Sequence, residues 1–124
     1  RRILELDPDN VRALNALGYT LADRTDRYDE AEKLIRKALD MEPESAAIID
    51  SWGWVHYRLG DYEKAISLLR KALSRFEDAE IAAHLGEVLW VSGNQQEARE
   101  IWQRALKKSP DDPKLQSVMQ RFIP

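Results

Sequence analysis

The sequence predicts an all-α solenoid, a fold in which similar pairs of helices stack side by side. Three glycines, Gly18, Gly53 and Gly86, recur 35 and 33 residues apart. Two sets of alanines recur with a similar period: Ala31, Ala65 and Ala98, then Ala38, Ala72 and Ala105. A repeat of about 34 residues with small residues at fixed positions is typical of stacked helix pairs. Such a fold generally presents a surface to a partner and carries out no chemistry itself.

The period divides the chain into helical units. We expect three helix pairs over residues 11–45, 46–78 and 79–112. Residues 1–10 read like the end of a preceding repeat whose helix is missing, so we expect the chain to be part of a longer array. Residues 113–124 predict a capping helix, because Asp112 offers an N-cap, Pro113 suits the first helical position, and apolar residues follow at helical spacing.

Turn residues predict where the two helices of a repeat meet. In the second repeat Gly60 suits a left-handed helix end, and Asp61 suits the N-cap of the next helix. In the third repeat we expect Gly93 to end the first helix in the same way. There Asn94 and Glu97 have the spacing of a capping box, in which each side chain bonds to the other's backbone N–H.

Composition excludes several classes of function. The net charge of -3 leaves no basic stripe for a nucleic acid, and the chain has no cysteine to form a disulfide or bind zinc. No apolar run is long enough for this segment to insert into a membrane. We found neither a nucleophile paired with a base nor a glycine-rich phosphate loop. The sequence therefore predicts no enzyme and no cofactor.

The two histidines do not alter that conclusion. His56 falls at a position usually filled by a packed side chain, which predicts a structural histidine with satisfied hydrogen bonds. His84 and Glu87 lie about one helical turn apart, but a metal site needs a third ligand and the sequence indicates none. No metal site is predicted.

The repeated positions resemble those of the tetratricopeptide repeat family over residues 11–112. Matching positions include Leu17, Gly18, Tyr28, Ala31, Ala38 and Pro43 in the first repeat; Trp52, Gly53, Tyr62, Ala65 and Ala72 in the second; and Leu85, Gly86, Ala98, Trp102, Ala105 and Pro110 in the third. The resemblance implies a right-handed superhelix whose first helices line a concave groove that binds a protein or peptide. The second repeat ends in Glu77 or Asp78 where the family has proline, which leaves the angle to the third repeat open.

With that assignment, the helical period predicts which residues face the groove. They are Arg12, Asn15, Tyr19, Asp50, Trp54, Tyr57, Arg58, His84, Glu87 and Trp90. Aromatic side chains dominate many interfaces, so these would hold an extended peptide or a partner helix. For Trp54 and Trp90 the alternative is packing against neighbouring helices. Trp52 and Trp102 lie at family core positions, and we expect both to be buried.

Residues 46–73 and 79–98 carry a narrower resemblance, to the C-terminal repeats of bacterial outer-membrane tetratricopeptide lipoproteins. One such lipoprotein delivers substrates to a periplasmic carboxyl-terminal processing protease. The resemblance implies an adaptor that binds the protease and its cell-wall hydrolase substrates. It also implies a periplasmic location, with the anchor on an N-terminal lipoprotein signal; composition alone fits the cytoplasm equally well. The alternative is an architectural spacer in a longer array, with binding upstream. The sequence does not indicate the oligomeric state.

Overall fold

The computed structural model describes residues 10–123, which contain seven helices and no strand. The helices are α1 (Val11–Arg24), α2 (Tyr28–Met41), α3 (Ala46–Arg58), α4 (Tyr62–Arg75), α5 (Ala79–Val91), α6 (Gln95–Lys108) and α7 (Pro113–Phe122). This confirms the predicted all-α fold. The expected end of a preceding repeat lies outside the described residues, except for Asn10. None of the seven helices is long and apolar enough to cross a lipid bilayer.

The helices stack so that each packs mainly against near neighbours in the chain. The pairs α1–α2, α3–α4 and α5–α6 pack most extensively, and α3 and α5 each join the next pair to the previous one. Helix α7 packs against α5 and α6. Buried apolar side chains from all seven helices form one continuous core, with a small second cluster around Ile49, Ala72 and Ile81. This arrangement is that of a solenoid with a terminal helix covering its last pair.

Helices α3 and α5 are buried on nearly every side, whereas α2, α4 and α6 bury a single stripe each. All residues from Ile48 to His56 and from Ile81 to Leu89 are buried. The cause is that α3 and α5 each lie between the previous pair and the next element. Polar side chains in these two helices are therefore buried, and they must find hydrogen-bond partners inside the protein.

Small residues permit the close approach of paired helices. Gly18, Gly53 and Gly86 lie where α1, α3 and α5 cross their partners, and a Cβ atom at each position would meet Ile35, Leu69 and Trp102 respectively. The alanines Ala31, Ala65 and Ala98 are fully buried on the opposing helices. The small-residue period read from the sequence is therefore a packing requirement.

Most of the predicted helix ends are confirmed. Gly60 and Gly93 have φ angles of 88° and 105°, in the left-handed region that glycine favours. The Asp61 side chain accepts a hydrogen bond from the backbone N–H of Lys64, and Asp112 caps α7 in the same way. The capping box at α6 is wrong, because the Asn94 side chain makes no capping hydrogen bond. Its expected counterpart Glu97 instead forms an ion pair with Arg70 on α4, at 2.5 Å.

His56 is buried but not satisfied, contrary to the sequence interpretation. Its ring packs edge-on against Trp52 with 5.0 Å between ring centroids. Within the described residues, Nε2 is buried and has no hydrogen-bond partner. Burial lowers the pKa of His56; the Lys64 ammonium lowers it further, and Asp61 and Glu32 oppose the shift.

We expect His56 to make the protein less stable in mild acid. Because its folded-state pKa lies below the unfolded value of about 6.5, the unfolded chain binds more protons there, and stability falls as pH drops from about 6.5 through the folded pKa. Thermal unfolding of wild type and His56→Phe at pH 7.5, 6.5 and 5.5 measures this loss. The wild type should lose more stability than the variant, and parallel losses would contradict the assignment to His56.

Candidate functional site

A hydrogen-bond chain crosses the face formed by the first helices of the three pairs. The Lys114 Nζ atom on α7 donates to the Tyr19 Oη atom on α1 at 2.9 Å. Tyr19 Oη lies 3.0 Å from His84 Nε2 on α5, and His84 Nδ1 lies 2.9 Å from Asp50 Oδ1 on α3. We call these four residues the Lys114 chain. It links all three helix pairs and α7 through side chains alone.

The chemistry of the groups fixes one proton of the Lys114 chain. The Asp50 carboxylate can only accept, so His84 Nδ1 carries a proton and donates it. The Tyr19 oxygen accepts from Lys114 and has both a hydrogen and a second lone pair, so its contact with His84 Nε2 suits a hydrogen bond in either direction.

The chain of Asp50, His84 and Tyr19 has the order of an orienting acid, a base and a hydroxyl, but it does not activate the hydroxyl. Burial raises the pKa of Tyr19, and the hydrogen bond and charge of Lys114 only partly offset that rise. A nucleophile needs a lowered pKa or a base free to remove its proton. For Lys114, burial disfavours the ammonium, but the hydrogen bond to Tyr19 and the charges of Glu80 and Asp23 outweigh it, and its pKa is raised.

Two further contacts join neighbouring repeats. The indole Nε1 of Trp54 donates to Asp23 Oδ1 at 3.1 Å, which ties α3 to α1. The Tyr57 hydroxyl donates to Glu87 Oε2 at 3.0 Å, and Arg121 on α7 lies 3.5 Å from the other oxygen of Glu87. Burial and the Glu87 carboxylate raise the pKa of Tyr57. These contacts hold each repeat in register with the next.

The residues predicted to face a groove divide into two groups. Asp50, Trp54, His84 and Glu87 are buried. The others keep some exposure: Arg12, Asn15, Tyr19, Tyr57, Arg58 and Trp90. The structure thus brings six of the ten together in the contacts above, within or beside the Lys114 chain: Tyr19, Asp50, Trp54, Tyr57, His84 and Glu87. Asn15 lines a cleft together with Tyr19 and Asp50. The Arg58 guanidinium instead lies over the Tyr28 ring, 5.8 Å away.

The tryptophans fill the interior rather than a stripe on the surface. Trp54 is 4% exposed, and its ring lies 4.2 Å from that of His84 between centroids. Trp90 is half-buried; its ring stacks on Trp102 and packs at a tilt against Phe122. For Trp54 and Trp90 alike, packing against neighbouring helices is what the structure has, so the prediction that the Trp54 ring lies open to a partner in the groove is wrong. Trp52 and Trp102 are buried, as predicted.

Two clefts flank the contact between Tyr19 and Lys114. One has a volume of about 300 Å³, and we call it the Asn15 cleft; its lining includes Asn15, Tyr19, Asp50, Ser51, Phe76, Asp78 and Glu80. The other, of about 150 Å³, is lined by residues that include Asp23, Trp54, Glu87, Lys114, Ser117 and Arg121. The buried Oδ1 atom of Asn15 has no hydrogen-bond partner in residues 10–123.

Sequence reasoning missed the contribution of α7. Lys114 and Arg121 reach Tyr19 and Glu87 from a helix interpreted only as a cap. A signal was present, because Lys114, Ser117 and Arg121 recur at helical spacing along one flank of the apolar stripe. It also missed Phe76, which is 62% exposed in the connection between α4 and α5 and lines the Asn15 cleft.

Stacked helix pairs with clefts on the first-helix face define a helical-repeat interaction module, and comparison with known proteins gives the family. Two sequence profiles described as tetratricopeptide repeat match residues 13–78 and 51–113. The chain belongs to the tetratricopeptide repeat family. Proteins of this fold are generally non-catalytic modules that bind other proteins.

Relatives support the family and share the fold. The chain is 56% identical over 87 residues to the TPR repeat-containing protein PA4667 of Pseudomonas aeruginosa, which covers 70% of this chain and 15% of that protein. It is 29% identical over 113 residues to human anaphase-promoting complex subunit 7, covering 91% of this chain and 20% of that protein. The chain thus spans a fifth or less of these relatives.

Solved structures show the same fold at low sequence identity. The thermophilic TPR protein TTC0263 of Thermus thermophilus has a TM-score of 0.83 at 22% identity, covering 98% of this chain and 68% of that one. MamA has a TM-score of 0.70 at 22% identity, covering 97% and 72%.

Proposed function

We propose that this chain is a non-catalytic scaffold that holds a segment of a partner protein in the Asn15 cleft. The observation that carries the proposal is the open cleft of about 300 Å³ with a large exposed aromatic, Phe76, in its lining. An exposed aromatic beside a concave surface is typical of a protein-binding site, because burying the ring against a partner gains free energy.

The lining of the cleft suits a peptide with both polar and apolar side chains. Phe76 and Ile81 offer apolar contact, and the carboxylates of Asp78 and Glu80 accept hydrogen bonds. The buried Oδ1 of Asn15, which has no hydrogen-bond partner within residues 10–123, can accept from a backbone N–H or a side-chain donor of the partner once the Asn15 amide turns toward the cleft.

We further propose that this chain is an adaptor and that its partners are a periplasmic carboxyl-terminal processing protease and the cell-wall hydrolases that the protease cleaves. The support is the resemblance of residues 46–73 and 79–98 to the C-terminal repeats of outer-membrane lipoproteins with that role. The proposal includes a periplasmic location. It assigns no catalytic step to this chain, because the protease cleaves the substrates.

A specific observation favours the architectural alternative for part of the predicted groove. Asp50, Trp54, His84 and Glu87 bond to residues of other helix pairs, so their side chains fix the angle between repeats. In this role the four side chains would stiffen a longer array of repeats. The scaffold function requires Phe76 for partner binding, whereas the spacer function does not require Phe76.

We expect Phe76→Ser to weaken binding to a purified carboxyl-terminal processing protease or cell-wall hydrolase by at least about tenfold, since it removes a central apolar contact. Biolayer interferometry with the immobilised chain measures the dissociation constant. Leu59→Ser is the matched control, because Leu59 is 45% exposed at the opposite end of the second helix pair.

The outcomes separate the two functions. Equal binding by the wild type and both variants would show that the interface lies outside the Asn15 cleft. No binding by the wild type would favour the spacer. Circular dichroism checks that each variant is folded.

A further inference from the structure

We propose that Asp50, Glu80 and His84 bind one divalent transition-metal ion at the base of the Asn15 cleft. One ligand atom from each of the three side chains lies within 4.8 Å of the other two. Glu80 and His84 lie one turn apart on α5, and α3 supplies Asp50 from the facing surface. The third ligand that the sequence did not reveal thus comes from the neighbouring repeat. This inference goes beyond the proposed function and needs no protein partner.

The ligand atoms already lie close enough for one ion to replace the hydrogen bond between His84 and Asp50. His84 Nδ1 lies 2.9 Å from Asp50 Oδ1. Adjacent ligands of an octahedral ion with bonds of about 2.1 Å lie about 3 Å apart, so little movement is needed. One imidazole with two carboxylates suits nickel, cobalt, manganese or zinc, with water completing the shell.

The cleft supplies access and a further acceptor. The Glu80 side chain is 50% exposed, so its carboxylate can turn toward the ion and water can reach the open positions. Asn15 lines the same cleft, and its buried, unpartnered Oδ1 can accept a hydrogen bond from a metal-bound water once the side-chain amide turns toward the ion.

Metal binding requires a change of tautomer at His84 that the Lys114 chain can accommodate. To coordinate the ion, Nδ1 must release its proton to solvent, and Nε2 then carries the one proton of the neutral ring. Nε2–H then donates to the Tyr19 oxygen, which already lies 3.0 Å away, and the Tyr19 hydrogen turns away from the ring. A metal-bound histidine usually donates its other N–H to such an acceptor.

The Lys114 ammonium competes with the ion for the Glu80 carboxylate. Its Nζ atom lies 3.6 Å from a Glu80 oxygen and balances part of the negative charge of the two carboxylates in the metal-free protein. Removing this charge should therefore tighten metal binding, an effect that a purely structural hydrogen-bond chain would not produce.

Isothermal titration with Ni²⁺ tests the site in wild type and three variants. We expect one ion per chain in the wild type, at least about tenfold weaker binding for Glu80→Gln, and tighter binding for Lys114→Gln. Glu63→Gln, which removes an exposed carboxylate of α4, is the matched control and should bind like the wild type. Absence of saturable binding by the wild type, or equal loss in Glu80→Gln and Glu63→Gln, would overturn the proposal.

A second measurement avoids substituting the buried ligands. The chain has two histidines, so His56 serves as an internal reference. On adding Zn²⁺, the ¹⁵Nδ1 resonance of His84 should shift to the metal-bound range while those of His56 stay in place. An unchanged His84 resonance at saturating Zn²⁺ would refute coordination. Neither measurement involves a protein partner, so the outcome is independent of the proposed scaffold function.

Discussion

Replacing Trp54 with alanine is expected to lower the free energy of unfolding by about 3–5 kcal/mol. The ring is 4% exposed and packs against His84 and Tyr57, with 4.2 and 4.8 Å between ring centroids. The substitution also leaves Asp23 without the indole donor. Because a domain of this size is stable by only about 5–15 kcal/mol, a large fraction of its stability is lost. Urea unfolding followed by circular dichroism measures the change.

Trp54→Phe is the matched control, because it keeps most of the ring but removes the hydrogen bond to Asp23. We expect its loss to be smaller, about 1–2 kcal/mol. If Trp54→Ala instead unfolded at the wild-type urea concentration and lost partner binding, Trp54 would be a contact residue, and its buried position would be contradicted.

Gly86→Ala is expected to destabilise the protein by about 2–3 kcal/mol, although alanine is the better helix former by about 1 kcal/mol. An added Cβ would lie 2.6 Å from Trp102 Cδ1 and closer still to other atoms of that ring. Trp102 is fully buried, and its Nε1 donates to the Ala83 carbonyl at 3.3 Å, so the indole cannot move aside without cost. Thermal unfolding in a calorimeter measures the loss.

Gly53→Ala tests whether the stability lost in Gly86→Ala comes from the contact of the added Cβ with the Trp102 ring. There a Cβ would lie 3.0 Å from Leu69 Cγ, and a leucine side chain yields more easily than an indole. The gain in helix propensity then offsets most of the strain, and we expect a change within about 1 kcal/mol. Similar losses at Gly53 and Gly86 would contradict the role assigned to Trp102.

The fold could be predicted because its signals are local and repeated. The period of small residues reports the closest approach of each helix pair, and Gly60 and Gly93 report left-handed turns. Such features depend on the residue and its near neighbours. The capping box at Asn94 failed for a different reason, since Glu97 has a stronger partner in Arg70, on the preceding helix pair.

The site could be predicted only in part. The helical period groups Tyr19, Asp50, Trp54, Tyr57, His84 and Glu87 on the same side of the first helices, but it could not tell whether that side meets solvent or another helix. Tyr19 and Lys114 are 95 positions apart in the chain, and no local pattern relates them. Phe76 was missed because its exposure depends on how the connection between α4 and α5 is placed.

By itself, the sequence determined that this protein is a stack of tetratricopeptide helix pairs and where the pairs turn. The tertiary structure alone decided that Lys114 and Arg121 reach Tyr19 and Glu87, that Trp54 is buried, and that Asp50 joins His84 and Glu80. The physical reason is the distance along the chain over which each kind of interaction acts. Helix period, turn geometry and small-residue spacing act within one repeat, whereas burial, charge pairing and ligand geometry depend on the angle between repeats.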